Sequence, residues 1–562
     1  MSSENPKTNK HTNWYKDAII YQIYPRSFCD SNNDGLGDIN GIISKLDYLK
    51  ELGVNCVWLS PIYDSPQADN GYDISNYLDI YPPFGNLNDA KRMFEEMHKR
   101  GIHVIMDLVV NHTSDKHPWF LSAISDPKSP YRDYYIIKKG RNNGKKPPNN
   151  WTGFFSEPAW TRIGESDEYY LHLFTSGQPD LNWENPKLRE EIKNILRCWL
   201  DLGVDGFRCD VINLISKKQD FKNRFPLPAL TGKDAYINGP RLHEFLHELY
   251  EDVYSHYDSM TVGETVLSKL DQVMLLTGPN REELDMVFNF DHTDSDNYFG
   301  VKYFYRKFSL PRFKKRLAHW QDGLYQKGWN SLFIENHDQR RSSGRFSTKD
   351  NGPYKDVSAK SLALAYFMLQ GTPFIYQGQE IGMTNAYFDN INDIQDIESH
   401  NIYKLSSKFG PFKKKFRKII FDVSRDNART PMLWDDSEYA GFSSVKPWIK
   451  VNENKNEINV KKALEDKNSL FYFYKQLIEY RQNNEIIKNG KFVLKHKNNK
   501  SLFIYERVLP NKKIVVISSF SEKPIKFKEL KSLPLSDLKI SNYDTHEEIT
   551  LKPYECRLYE IN

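Results

Sequence analysis

Polar side chains with acid–base chemistry recur at the ends of short apolar segments along this chain of 562 residues. The stretches DLVVNH, GFRCDV, VGET and ENHD follow one another in this order, and their acid–base groups include those of His112, Arg208, Asp210, Glu264, His337 and Asp338. A single carboxylate at a strand end more often caps a backbone or pairs with a cation. Several such groups at equivalent positions instead indicate one convergent site for acid, base or nucleophilic chemistry.

The elements that position these groups alternate regularly from residue 17 to residue 380. Amphipathic helices such as Asn88–Arg100 and Pro186–Leu202 separate short apolar segments. Eight segments are predicted as strands: Asp17–Pro25, Val54–Pro61, Ile102–His112, Val204–Val211, Met260–Glu264, Met286–Phe290, Asn330–Asp338 and Thr372–Gln377. This alternation is typical of a parallel sheet covered on both faces. It predicts an α/β fold, a (β/α)8 TIM barrel, with a doubly wound sheet as the alternative.

A barrel would bring the polar strand ends together, because the carboxyl ends of its strands open on one face. Arg208 precedes Asp210 by two residues, so both side chains project to the same side of their strand. We therefore expect Arg208 to hold Asp210 in its ionised form.

The alternation of predicted strands and helices is interrupted in two regions of the chain. Residues 113–182 are rich in Gly, Pro, Asn and aromatic residues and are too long for a plain loop. Four short strands are predicted near the C-terminus, at Lys491–Lys495, Ser501–Val508, Lys513–Ser519 and Tyr554–Tyr559. We predict a barrel from 1–112 and 183–486, a small inserted domain at 113–182, and a C-terminal antiparallel β-sandwich at 487–562.

Composition excludes several classes of protein. Lys and Arg number 78 against 74 Asp and Glu, a net charge of +4, which argues against a nucleic-acid partner. The five cysteines form no C-x-x-C pair, so neither a disulfide framework nor a zinc site is indicated. No apolar run approaches the length of a membrane span. We expect a cytoplasmic monomer with reduced thiols and no membrane partner.

The ordered motifs closely resemble those of the α-amylase superfamily, glycoside hydrolase family 13. The stretches DSNNDGLGD, QPDLNWENP and RDNARTPM resemble its oligo-1,6-glucosidase branch of α-glucosidases, and the resemblance extends from Trp14 to the C-terminus. It implies retaining hydrolysis of an oligosaccharide with Asp210 as the nucleophile, Glu264 as the general acid and base, and Asp338 as the stabiliser of an oxocarbenium-like transition state.

The same resemblance implies the residues that bind the sugar. They are Asp69, Tyr72, His112, Phe155, Phe174, Gln178, Arg208, Val211, His337 and Arg425. Asp69 and Arg425 would hold the non-reducing end, as in an exo-acting enzyme. In that branch a valine directly after the nucleophile, here Val211, accompanies α-1,6 linkages.

Alternative functions share most of these motifs. A trehalose-6-phosphate hydrolase would need cations at the barrel mouth, and Arg340 and Arg341 are the visible candidates, standing where the family usually has Pro after NHDQ. A broad or sucrose-active α-glucosidase is a further alternative, although Asp291–Asp296 lacks the RLDRD-type loop of a sucrose isomerase. A non-catalytic binding protein is disfavoured because the three carboxylates are present. Gln379 replaces a common Glu, with no predicted consequence.

A separate loop, Asp30–Asp38, carries oxygen side chains at alternate positions around a glycine turn. Such a pattern suits a hard cation, although it lacks the bidentate Glu of an EF-hand. A simple glycine turn is the alternative. From the resembled branch we expect a structural Ca²⁺ ion bound by Asp30, Asn32, Asp34 and Asp38 through side chains and by Leu36 through its carbonyl.

Overall fold

A computed structural model of the chain describes residues 12–155, 157–227, 229–298, 301–348, 350 and 352–561. Eight parallel strands form its central sheet: β1 (Ile20–Ile23), β2 (Cys56–Leu59), β3 (His103–Leu108), β4 (Gly206–Cys209), β5 (Met260–Glu264), β6 (Met286–Phe288), β7 (Ser331–Leu332) and β8 (Thr372–Tyr376). Consecutive strands pair from β1 to β6, and β8 pairs with both β7 and β1. A parallel bridge between Val287 and Asn330 joins β6 to the start of β7. The sheet therefore closes, which confirms the (β/α)8 barrel and excludes a doubly wound sheet.

All eight predicted strands are present, but most are shorter than predicted. The largest difference is at β7, which ends at Leu332, so Asp338 lies in a loop six residues beyond the strand. The apolar run that predicted a longer strand continues beyond Leu332. Its residues Phe333 and Ile334 are buried, each 2% exposed, but they lie outside the paired strand.

The α-helices lie at Ile39–Ser44, Leu46–Leu52, Leu87–Lys99, Pro118–Ser125, Pro186–Asp201, Lys233–Tyr236, Leu242–Asp252, Leu270–Thr277, Leu310–Leu324, Lys355–Phe367, Ile397–Leu405, Lys413–Val423, Val460–Glu465, Leu470–Gln482 and Glu485–Asn489. Helix Leu87–Lys99 shows why these segments are helical. Asn86 and Asp89 form a capping box at its start. Ala90, Met93 and Met97 lie on one buried face at helical spacing. No helix in the described ranges has both the length and the apolar composition to cross a membrane.

Two apolar layers hold the barrel together. Side chains of the outer layer pack the helices against the strands, as Leu49, Phe94 and Leu196 do. A separate inner cluster, which includes Trp58, Phe288 and Phe374, fills the barrel interior. The barrel is therefore a packed core, and its functional groups must lie at the open carboxyl face.

The segment between β3 and β4 contains a three-stranded antiparallel sheet, ordered Ile137–Lys139, Glu168–Leu171 and Trp160–Arg162. Its apolar cluster includes Trp151 and Leu171 and extends to Val211 and Leu214, which follow β4. This sheet therefore packs directly on the loop that carries Asp210.

The C-terminal region contains a five-stranded antiparallel sheet in the order Lys491–Lys495, Leu502–Leu509, Lys512–Ser519, Cys556–Ile561 and Leu538–Ser541. A two-stranded sheet of Ile525–Lys526 and Thr550–Leu551 packs on it through a shared apolar cluster. The sequence did not predict the strands Ile525–Lys526, Leu538–Ser541 and Thr550–Leu551, because each has only two to four residues. There are two further antiparallel strand pairs, Tyr63–Asp64 with Asn76–Ile80 and Asn297–Tyr298 with Val301–Tyr305.

Candidate active site

Two carboxyl groups meet at the ends of neighbouring strands. Asp210 directly follows β4 and Glu264 is the last residue of β5, and these strands pair with Cys209 opposite Gly263. Arg208 joins them: its Nη1 donates to Asp210 Oδ1 at 2.6 Å, and its Nη2 donates to Glu264 Oε2. The side chains of Asp210 and Glu264 are 9% and 12% exposed, so both face a small opening.

A third carboxylate beneath them was missed by the sequence analysis. Asp107 of β3 accepts hydrogen bonds from Arg208, from Trp58 Nε1 at 2.9 Å and from the Tyr72 hydroxyl at 3.3 Å. Burial raises the pKa of Asp107 to about 6 against the opposing charge of Arg208. The sequence feature that could have revealed Asp107 is its position as the one carboxylate within the otherwise apolar stretch IHVIMDLVV.

Burial and the neighbouring carboxyl groups act on Asp210 in the same direction. Burial raises the pKa of Asp210 well above its usual range, and although Arg208 opposes the shift, the charges of Glu264 and Asp107 add to it. Interaction with the Glu264 side chain also favours the protonated form of Asp210. Two carboxyl groups therefore stand side by side around one cation, an arrangement suited to acid and nucleophile chemistry.

Asp338 has the opposite electrostatic environment. Arg429 Nη2 lies 2.7 Å and Arg425 Nη1 3.3 Å from its Oδ1, while His337 Nε2 lies 3.3 Å from its Oδ2. Burial lowers the pKa of His337 to about 3, so the two guanidinium groups supply the cationic charge. Burial alone would raise the pKa of Asp338, but the guanidinium groups of Arg425 and Arg429 hold it well below its usual range. The ionised form of Asp338 is therefore favoured.

Arg425 closes one end of the site. Its Nη2 lies 3.0 Å from Asp69 Oδ1 and 2.8 Å from Asp396 Oδ1, and Gln178 Nε2 donates to Asp69 Oδ2 at 3.2 Å. Burial raises the pKa of Asp69, while Arg425 and Arg429 oppose the shift. Asp396 and Arg429 were both missed, although the spacing of two arginines in RDNAR was visible.

Aromatic and imidazole rings line the remaining wall. Tyr72 and His337 stack with centroids 5.3 Å apart, and the Tyr72 hydroxyl lies 2.7 Å from His337 Nε2. Phe174 lies 5.1 Å from His112 and 5.7 Å from Phe155. The Phe155 ring also lies 5.4 Å from the Arg425 guanidinium. The structure thus brings these predicted sugar-binding residues together, while their roles stay predictions.

Val211 occupies a strained turn beside the carboxyl pair. Its φ of 35° lies in the left-handed region, which a β-branched residue rarely adopts. The turn aims the Val211 N–H at Glu264 Oε2, 3.4 Å away, and buries its side chain to 6% exposure. Such strain persists only where surrounding packing enforces it.

The residues that departed from the family pattern have structural partners. Arg341 is buried against Glu335 and donates to the Gln377 carbonyl at 2.8 Å, so its prediction as a cation at the mouth is wrong. Arg340 lies near the rim and pairs with Asp296 at 2.7 Å.

Gln379 is also internal, and its Nε2 donates to the hydroxyls of Tyr366 and Tyr474 at 2.7 and 2.8 Å. A carboxylate could not make these donations, which is the physical consequence that the sequence did not reveal.

The predicted metal loop is ordered by its own backbone. Asp30 Oδ1 accepts the amides of Asn32 and Asn33 at 3.1 and 2.7 Å. Asp34 Oδ1 accepts the amide of Leu36 at 2.8 Å. These bonds hold oxygen side chains around the turn, and oxygen ligands are those that Ca²⁺ prefers.

Asp38 links this turn to the helix that follows. Its Oδ2 accepts the Ser31 amide at 2.7 Å, and its Oδ1 accepts the Gly41 amide at 2.7 Å and so caps helix Ile39–Ser44. Within the described ranges, no three His, Cys, Asp or Glu side chains form a group that could hold a metal. Ca²⁺ binding with Asp38 as a ligand therefore stays a prediction.

Known proteins resemble this chain over nearly its whole length. Residues 22–490 match the α-amylase family, described as the α-amylase catalytic domain. An oligo-1,6-glucosidase of Parageobacillus thermoglucosidasius is 52% identical over 98% of this chain and 99% of that protein. A trehalose-6-phosphate hydrolase of Bacillus subtilis is 46% identical over 98% and 99%.

Solved structures give the same picture. Trehalose-6-phosphate hydrolase of Bacillus licheniformis superposes with a TM-score of 0.91 at 45% identity, covering 97% of this chain and 99% of that one. Isomaltulose synthase of Klebsiella sp. LX3 superposes with a TM-score of 0.92 at 37% identity, covering 97% and 99%. The likeness therefore includes the inserted and C-terminal regions as well as the barrel.

Proposed function

Because this chain belongs to the α-amylase family of glycoside hydrolases, we propose that it is a retaining, exo-acting α-glucosidase that cleaves α-1,6-linked glucosides. Isomaltose and isomalto-oligosaccharides are the proposed substrates. The observation that carries the proposal is the pair of carboxyl groups of Asp210 and Glu264, which stand at the ends of adjacent strands and are both bonded to Arg208.

The proposed reaction has two steps. Asp210 attacks the anomeric carbon while Glu264 donates its proton to the leaving oxygen, which forms a glycosyl ester with Asp210. Glu264, now ionised, removes a proton from water, and the water breaks the ester with net retention. Arg208 hydrogen bonds to both carboxyl groups and limits their movement as charge passes between them.

Asp338 would stabilise the positive charge that develops on the sugar ring. Its depressed pKa keeps it ionised throughout the reaction. The network of Arg425 with Asp69 and Asp396 would hold the terminal sugar and close the site beyond it, which supports an exo mode of action.

The linkage preference rests on Val211 and on the name of the 52% identical relative. The test is kcat/KM on isomaltose, maltose, sucrose, trehalose and trehalose 6-phosphate. Isomaltose should give the highest value, and a higher value for maltose or sucrose would instead indicate a broad or sucrose-active α-glucosidase.

Trehalose-6-phosphate hydrolysis is the second candidate, because a relative and a solved structure of similar identity carry that name. Arg340 near the rim is the residue that favours it. However, Arg340 and Arg345 both bind Asp296, so one negative charge already offsets part of their positive charge. A strong preference for trehalose 6-phosphate in the substrate panel would overturn the leading proposal.

Three further properties are proposed with the function. A cytoplasmic location is supported by the five free cysteines, Cys29, Cys56, Cys198, Cys209 and Cys556. A monomer and a structural Ca²⁺ ion at the Asp30–Asp38 loop complete the proposal. Size-exclusion chromatography with light scattering tests the monomer.

A further inference from the structure

A second concave site lies outside the active site, beside the loop that follows β8. It is a pocket of about 720 Å³, and its apolar wall consists of Tyr387, Phe388 and Phe421. Its charged wall carries four cations against two carboxylates: Lys413, Lys414, Arg417, Lys418, Asp389 and Asp422. The proposed hydrolysis uses none of these side chains.

The aromatic wall presents a ring that is both exposed and fixed. Tyr387 is 57% exposed, yet its φ of 54° lies in the left-handed region, which non-glycine residues seldom adopt. Its hydroxyl donates to Asp350, and its N–H donates to Asn427 Oδ1 at 3.2 Å. Backbone strain of this kind is retained where the surroundings enforce it and clusters at ligand sites. A fixed, exposed ring suits the apolar C–H face of a sugar.

The cationic wall suits a phosphate group. Lys413, Lys414 and Lys418 belong to one helix, Lys413–Val423, and the wall's net charge is positive. Arg417 is held in place, with its guanidinium 3.8 Å from the Tyr403 ring centre. Several lysines that line one concavity attract a multiply charged anion more strongly than a neutral ligand.

The pocket adjoins the rim of the active site. Its helix ends at Val423, two residues before Arg425. Asp422 in the pocket wall accepts a hydrogen bond from the Tyr305 hydroxyl at 3.4 Å, and the Arg340 guanidinium lies 4.8 Å from that ring. Asp422 in the pocket wall is therefore linked through Tyr305 to Arg340.

We propose that this pocket is a second binding site, which takes a sugar monophosphate with its ring against Tyr387 and its phosphate on Lys413, Lys414 and Lys418. The site is separate from the reacting carboxyl groups. It does not depend on which linkage the enzyme cleaves.

The test is calorimetric titration of the full-length protein with glucose 6-phosphate, inorganic phosphate and glucose. Glucose 6-phosphate should bind tightest, because it alone satisfies both walls. The triple variant Lys413→Gln, Lys414→Gln, Lys418→Gln should weaken that binding about tenfold or more, equivalent to about 1.4 kcal/mol. The matched control Lys404→Gln, Lys408→Gln, Lys415→Gln removes the same charge from exposed residues of the same region outside the pocket, and should keep the affinity.

Two outcomes would overturn the proposal. Equal affinities for glucose 6-phosphate and inorganic phosphate would show that the sugar ring makes no contact. Binding that is lost in Asp69→Asn but kept in the triple lysine variant would place the ligand in the active site. Failure of the proposed function would appear separately, as low kcat/KM on isomaltose with this binding intact.

Discussion

The two halves of the active site come from different parts of the fold and hold charge in different ways. In the strand half, Asp210 and Glu264 stand at the ends of adjacent strands and share Arg208 with Asp107. In the loop half, Asp338 lies beyond β7 and is bound by Arg425 and Arg429.

The ratio of cations to carboxylates explains the difference. One guanidinium serves three carboxyl groups in the strand half, where burial and the neighbouring carboxyl groups raise the pKa of Asp210. Two guanidinium groups serve Asp338 in the loop half, so that carboxylate stays ionised. One half is therefore suited to proton transfer and the other to constant electrostatic stabilisation.

Removing the nucleophile should have the largest effect. Asp210→Asn should lower kcat about 10⁴-fold or more, because an amide cannot form the glycosyl ester. Isomaltose turnover is the measurement, and an unchanged circular dichroism spectrum is the control for folding. Retention of more than about a tenth of the activity would contradict the role of Asp210.

Removing the acid separates the two steps within the strand half. Glu264→Gln should lower kcat on isomaltose by about 10²–10⁴-fold. A nitrophenyl α-glucoside has a good leaving group, so its first step should be spared and a burst of nitrophenol should precede slow turnover. Equal losses with both substrates, and no burst, would argue against acid catalysis by Glu264.

Changing the loop half should lower the catalytic rate without altering the geometry of the strand half. Asp338→Asn should lower kcat by about 10²–10³-fold. Because the pKa of Asp338 is depressed in the folded protein, the acid limb of the wild-type pH profile should report a group other than Asp338.

Arg429→Met provides the pH test of the same half. It removes one cation from Asp338, so the pKa of Asp338 should rise. The ionised form stabilises the native protein above the unfolded-state pKa, and that contribution is lost as pH falls through the folded pKa. The variant should therefore lose stability at a higher pH than wild type in acid unfolding monitored by fluorescence. Identical acid unfolding transitions for the variant and the wild type would contradict the claim that Arg429 lowers the pKa of Asp338.

The linkage test acts beside the strand half and has a smaller effect. Val211→Thr keeps the β-branched shape but adds a hydroxyl, so the fold should survive with some loss of stability. We expect kcat/KM for maltose relative to isomaltose to rise by about 10–200-fold. An unchanged ratio would show that Val211 does not set the linkage preference.

Metal removal should leave both halves unchanged. Excess Ca²⁺ should raise the melting temperature of metal-free protein, since an ion at 100 times its Kd stabilises the native state by about 2.7 kcal/mol. Asp34→Ala should abolish that shift, with kcat close to wild type. Identical melting curves with chelator and with Ca²⁺ would count against a stabilising ion.

The sequence by itself determined the barrel and the strand half. Strand periodicity and the alternation with helices depend on neighbours within a few residues, so β1 to β8 could be predicted from local pattern. The positions of Asp210 and Glu264 followed, because adjacent parallel strands bring their carboxyl ends together. The match to the α-amylase family confirms the resemblance that the ordered motifs indicated.

Only the tertiary structure determined which residues pair in the loop half and whether a given arginine is buried or lies near the rim. Asp338 meets Arg429 across 91 residues of chain, and Arg425 meets Asp69 across 356. Neither pairing has a local signal. Arg340 and Arg341 are neighbours of the same type, yet one lies near the rim and the other is buried against Glu335. Burial and ion pairing depend on which distant segments pack together, and no short stretch of sequence contains that information.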